Sequence, residues 1–101
     1  MKTLSSQSFI SRRTLTIPNR KGLHARASAK FVQTAHRFNA EVIVTYGEES
    51  VSGSSIMELL TLGATYNTPI CISTIGPDAE PCLDALAHLV EHGFFEELFL
   101  R

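Results

Sequence analysis

The order of patterns along the chain predicts an α+β domain, a single antiparallel sheet with its two long helices packed on one face. Two kinds of segment carry that expectation. Four short stretches have the β-branched or alternating character of strands. Two longer stretches place apolar residues at helical spacing and divide the strands from one another. The chain has 101 residues, 44% of them hydrophobic, which supports one compact domain and hardly two.

Residues 1–11 read as a flexible leader before a domain over 12–93. From Arg12 to Ile17, Leu15 and Ile17 alternate with Thr14 and Thr16, the period of a half-buried strand. Pro18-Asn19 ends it, and Arg20–Gly22 form a loop. A helix is expected from Ala25 to His36, with Ser28, Phe31, Val32 and Ala35 on its apolar stripe. Arg26, Lys30, Gln33 and Arg37 make the opposite face, polar and mostly basic. Glu41–Tyr46 is a β-branched strand, Gly47-Glu48-Glu49 turns the chain, and Ser50–Ser52 returns as a short strand, which makes a hairpin.

Ser55 with Glu58 three residues later has the spacing of a capping box, so a short helix should start there and stop at Gly63. Thr68–Ile75 reads as the last strand, with Pro69 near its start. Asp78 is the expected N-cap of the final helix, with Pro81 tolerated in its first turn. Ala79, Cys82, Leu83, Leu86, Leu89 and Val90 form its core stripe, and Gly93 is its stop. Residues 94–101 form an apolar C-terminal extension that could dock back on the domain, lengthen the helix or bind a partner.

Charge is distributed unevenly. Residues 1–37 hold eight of the nine Lys and Arg and no acid, while all ten Asp and Glu follow. This favours an electropositive site near the first helix, attractive to anions or acidic surfaces. Several other functions are excluded. Cys71 and Cys82 have neither CxxC spacing nor a nearby Cys/His set, so no metal site is indicated and both are expected as buried, reduced thiols. There is no phosphate-binding Gly-x-x-x-x-Gly-Lys-Ser/Thr loop and no dinucleotide turn, so no cofactor is expected. No signal peptide or membrane-spanning run is visible, and a cytoplasmic protein without membrane insertion is expected. A nucleic-acid binder using the basic helix is disfavoured, because that face lacks interleaved aromatics and the rest of the chain is acidic.

The chemistry concentrates at His24. It stands where the first helix begins, and the first N–H groups of a helix have no internal partners and carry partial positive charge. Neutral imidazole is a competent nucleophile toward phosphorus. The backbone N–H groups of Ala25, Arg26 and Ala27 and the Arg26 side chain are placed to stabilise a phosphoryl group on it. Gly22 lets the loop approach closely. Without any nucleotide site, such a group must arrive from one protein and leave to another. That describes a covalent relay and not a stand-alone enzyme.

Gly22-Leu23-His24-Ala25-Arg26-Ala27-Ser28-Ala29-Lys30-Phe31-Val32 resembles the active-site signature of the HPr family, the histidine-containing phosphocarriers of bacterial phosphoenolpyruvate-dependent phosphotransferase systems. Ser52–Gly63 resembles the family's regulatory-serine segment, and the likeness spans roughly Thr14 to Glu91. It implies an HPr-like open-faced β-sandwich, βαββαβα, with a four-stranded antiparallel sheet. It further implies phosphorylation of His24 on Nδ1 by enzyme I, transfer to a IIA-type domain, and Arg26 as the active-site arginine. Ser55 matches the serine that HPr kinase/phosphorylase modifies in species that have one. Leu23, Ile56, Met57 and Leu60 are then expected as an apolar docking patch around His24 on a monomeric carrier. A regulatory binding module of the same fold is the alternative. Most of the family has proline where this chain has Ala27, from which a less rigid helix start is expected with phosphate binding intact.

Overall fold

A computed structural model describes residues 9–96. The elements are β1 (Ile10–Thr16), α1 (Ala25–Ala35), β2 (Glu41–Tyr46), β3 (Glu49–Ser52), α2 (Ile56–Leu62), β4 (Pro69–Ile75) and α3 (Ala79–Glu91). The strands form one antiparallel sheet in the order β1-β4-β2-β3. The expected α+β architecture, four antiparallel strands with the helices on one face, is the observed one.

The alternation of side chains in each strand fixes which face is covered. Leu15, Val42, Val44, Ile70, Ile72 and Thr74 are buried toward the helices. On the other face Thr14, Cys71 and Thr45 stand in register with Ser50, and the Thr45 and Ser50 hydroxyls are 2.7 Å apart. Cys71 is therefore half-buried on the open face, whereas Cys82 is in the core as expected and both thiols are free. Burial, and secondarily the negative charge of Asp78, push the Cys82 thiol pKa above its ordinary value.

α3 packs over β1 and β4, and α1 lies between α3 and α2. The expected stripes are buried: Ser28, Phe31, Val32 and Ala35 of α1, and Ala79, Cys82, Leu83, Leu86, Leu89 and Val90 of α3. The closest approach in the core is at Gly53, where a Cβ would strike the Val42 side chain and come within 3.0 Å of the Phe31 ring. Burying α1 against the sheet at this point requires a residue without a side chain.

Two cap expectations are corrected. Ser55 Oγ accepts from the Glu58 N–H at 3.1 Å, the first arm of the capping box. The second arm goes elsewhere, because Glu58 Oε1 accepts the Ser52 N–H at 2.8 Å and so staples the helix start to the end of β3. Asp78 makes no side-chain cap on α3. Its Oδ2 accepts the Asn39 N–H at 2.8 Å, joining the helix start to the loop before β2.

The limits of the folded unit also differ from the expectation. β1 begins at Ile10, inside the stretch assigned to the leader, and its full length pairs with β4 from Ile10–Ile75 to Thr16–Pro69. At the other end α3 stops at Glu91, and Phe94, assigned to the extension, is completely buried in the core. Of the three possibilities for the extension, its first part docks back. Residues 1–8 of the leader and 97–101 of the extension lie outside the described residues. Among the described residues no helix is long and apolar enough to cross a membrane.

Candidate functional site

The site is built on the loop between β1 and α1. Ile17 at the end of β1 is tied to the loop before β4 by the bonds Ile17 N–H to Thr68 O at 2.9 Å and Asn67 N–H to Ile17 O at 2.7 Å. The chain then turns through Asn19 and Gly22. Gly22 has φ +65°, and a Cβ there would lie 2.5 Å from Ala64 O and 3.0 Å from Thr65 Cα. Only glycine fits, by both its left-handed backbone and its contact. The next residue completes the attachment, with the Leu23 N–H donating to Ala64 O at 3.0 Å.

His24 leaves that loop in an extended conformation (φ −77°, ψ −176°) and is the N-cap of α1. Its carbonyl accepts the first helical bond, from the Ser28 N–H at 2.8 Å. Its Nδ1 accepts the Arg26 N–H at 3.2 Å. A nitrogen that accepts carries no proton, so this contact assigns the ring proton to Nε2. Nε2 faces the Glu96 carboxylate, at 3.0 Å from Oε1 and 2.9 Å from Oε2. The histidine side chain is 24% exposed and the glutamate 8%.

The expected helix-start donors are thus not equivalent. The Arg26 N–H is already engaged by Nδ1, while among the described residues the Ala25 and Ala27 N–H groups have no hydrogen-bond partner. The Arg26 side chain is exposed and likewise has no hydrogen-bond partner among the described residues. Ala27 is fully buried and occupies the first turn of α1 with regular helical structure following it.

Glu96 and Asn19 were not assigned to this site from sequence, and Lys30, expected on the basic face, makes a contact that the pattern did not indicate. Glu96 supplies the carboxylate. Asn19 is 2% exposed, and its Nδ2 donates to Gly22 O at 2.9 Å and to Glu96 Oε1 at 3.1 Å. Lys30, on the basic face of α1, donates from Nζ to Phe94 O at 2.6 Å. The available signal for the C-terminal contribution was the density of bulky apolar residues after Gly93.

The other expected site residues fall into two groups. Ile56, Met57 and Leu60 are exposed on α2, at 39%, 71% and 37%. Leu23 is 3% exposed and belongs to the hydrophobic core, so it is withdrawn from the docking patch. Its N–H is bonded to Ala64 O at 3.0 Å, which holds this part of the loop against the chain before β4. Ser55 is half-buried at the start of α2. No group of three or more potential metal ligands exists among the described residues.

A histidine whose Nδ1 accepts from a backbone N–H at a helix N-terminus, beside an exposed arginine, has the layout of a covalent group-transfer site. Comparison with known proteins makes this specific. Residues 11–92 match the model of the PTS-HPr family, described as the PTS HPr component phosphorylation site. The phosphocarrier protein HPr of Neisseria meningitidis is 44% identical over 86 residues, 85% of this chain and 96% of its own. The phosphocarrier protein NPr of Shewanella violacea is 39% identical over 84 residues, 83% of this chain and 92% of its own. Among solved structures, HPr-C-His from Thermoanaerobacter tengcongensis superposes with a TM-score of 0.83 at 39% identity, covering 87% of this chain and 99% of that one. The chain belongs to the HPr family of phosphotransferase-system phosphocarriers.

Proposed function

We propose that this protein accepts a phosphoryl group on His24 Nδ1 from phosphorylated enzyme I and passes it to a IIA-type domain. The observation that carries the reading is the His24 ring itself, held as an N-cap with an unprotonated Nδ1 against the Arg26 N–H. The Nδ1 lone pair forms the bond to phosphorus as the bond to the donor nitrogen breaks, and the donor nitrogen keeps that electron pair. The incoming group displaces Nδ1 from the Arg26 N–H, which is freed to donate to a phosphoryl oxygen. The open N–H groups of Ala25 and Ala27 and the Arg26 guanidinium face the charge of about −2 that the group carries. The same donors favour the acceptor state without making it irreversible, because the N–P bond remains exposed to the next partner at a ring that is partly solvent-accessible.

Ile56, Met57 and Leu60 supply an apolar docking patch for both partners, beside a basic α1 face that suits acidic partner surfaces. Phosphorylation of Ser55 by an HPr kinase/phosphorylase would regulate that docking. The modified oxygen is the one that caps Glu58, whose carboxylate is in turn fixed to Ser52, so the added charge would meet a carboxylate in the first turn of α2. In this reading the protein works as a cytoplasmic monomer and needs no cofactor.

The test is incubation with enzyme I and labelled phosphoenolpyruvate. Wild-type protein should take up acid-labile, base-stable label and His24→Ala should take up none. Acid-labile label on His24→Ala would overturn the assignment of the site.

A further inference from the structure

The last described residues, Gly93–Glu96, do more than finish a helix. Gly93, Phe94 and Phe95 all have left-handed backbone, with φ +61°, +57° and +58°. Glycine adopts this readily, but L-residues held there are strained, and successive ones are rare. Two bulky phenylalanines are nevertheless kept in it. Phe94 is buried in the core, Lys30 Nζ holds its carbonyl, and the Phe95 ring stacks on His92 with ring centroids 5.2 Å apart. The strained turn has one evident product. It reverses the chain after α3 and delivers the Glu96 carboxylate to His24 Nε2 and Asn19 Nδ2.

We propose that Glu96 is a positioning residue for the nucleophile, an inference that rests on the phosphocarrier reading of His24. Its carboxylate holds the ring proton on Nε2, which leaves the Nδ1 lone pair outward at the helix start. An imidazole bonded to phosphorus at Nδ1 while keeping its Nε2 proton bears a formal positive charge, and that charge develops 2.9–3.0 Å from the Glu96 oxygens. The carboxylate therefore favours the transition toward the phosphorylated ring as well as the reactive tautomer. It reaches the reacting nitrogen only through the ring, as the buried carboxylate of a Ser-His-Asp triad does. Asn19 fixes the carboxylate in turn, because its Nδ2 bridges Glu96 Oε1 and the Gly22 carbonyl of the loop that carries His24.

The experiment uses the full chain with a 15N-labelled imidazole. Long-range 15N–1H correlation spectra of the unphosphorylated wild type should show His24 as the Nε2–H tautomer. In Glu96→Ala the two tautomers should mix, and the initial rate of labelling by enzyme I should fall at least about tenfold. Glu96→Gln keeps an acceptor oxygen without the charge, so it should retain the tautomer and show an intermediate rate. An unchanged tautomer in Glu96→Ala, or wild-type rates in both variants, would overturn the proposal. A variant that lost only thermal stability would do the same, by making Glu96 a simple pin for the chain end. If wild-type protein took no label from enzyme I, the phosphocarrier reading would fall, while the tautomer spectra would still decide whether Glu96 orients His24.

Discussion

Ser55 is a single side chain with one structural task and one proposed regulatory task. As the N-cap of α2 its hydroxyl satisfies the Glu58 N–H. Removing a capping hydroxyl typically costs about 1 kcal/mol, so Ser55→Ala should be less stable by about that amount in urea denaturation. With HPr kinase and ATP the same variant should take up no acid-stable label, and undiminished labelling would take Ser55 out of the regulatory role. Ser55→Thr separates the tasks, since threonine caps nearly as well and presents a bulkier hydroxyl to a kinase. Glu58 limits how far the cap can be read as a closed motif, because its carboxylate is bound to Ser52 and not to Ser55.

At the junction of α1 with the sheet, the sequence pattern and the packing agree without the pattern revealing the tightest point. The helical stripe of Phe31 was legible from its period, and the strand holding Val42 and Val44 from its β-branched composition. Gly53 was not, since its importance comes from a contact between two elements distant in sequence. Gly53→Ala should be destabilised by about 1–3 kcal/mol, because its methyl group meets both the Val42 side chain and the Phe31 ring. Thermal denaturation monitored by circular dichroism will measure it, and a wild-type melting temperature would show that the neighbours yield freely. The docking patch teaches the same lesson. The resemblance implied that Ile56, Met57, Leu60 and Leu23 are exposed together, and the first three are, but Leu23 lies in the core beside a backbone bond to Ala64 that no local pattern announces.

The molecule as a whole closes through its C-terminal segment. Fold class, element order and the place of His24 at the start of α1 were legible because periodicity and a dense local motif are short-range properties. Glu96 was not, since its partner His24 lies 72 residues away and only the reversal after α3 unites them. Phe94 is the anchor of that closure. Phe94→Ala should lose about 3–5 kcal/mol from the cavity and the lost burial, measured by urea denaturation. It should also free the Glu96 turn and bring the His24 tautomer toward the mixture expected of Glu96→Ala. Loss of stability with an unaltered His24 ring would show that the turn holds its shape without its anchor.

The pairing of β1 with β4 has a kinetic counterpart. Among the described residues β1 pairs only with β4, across the whole of α1, β2, β3 and α2, and the carboxylate proposed to orient His24 comes later still. Such non-local closure is slow compared with helix or hairpin formation. A nascent chain can thus expose the signature around His24 long before its ring has a fixed proton. The full rate expected of the proposed transfer is then reached only once synthesis has passed Glu96 and β4 is paired with β1.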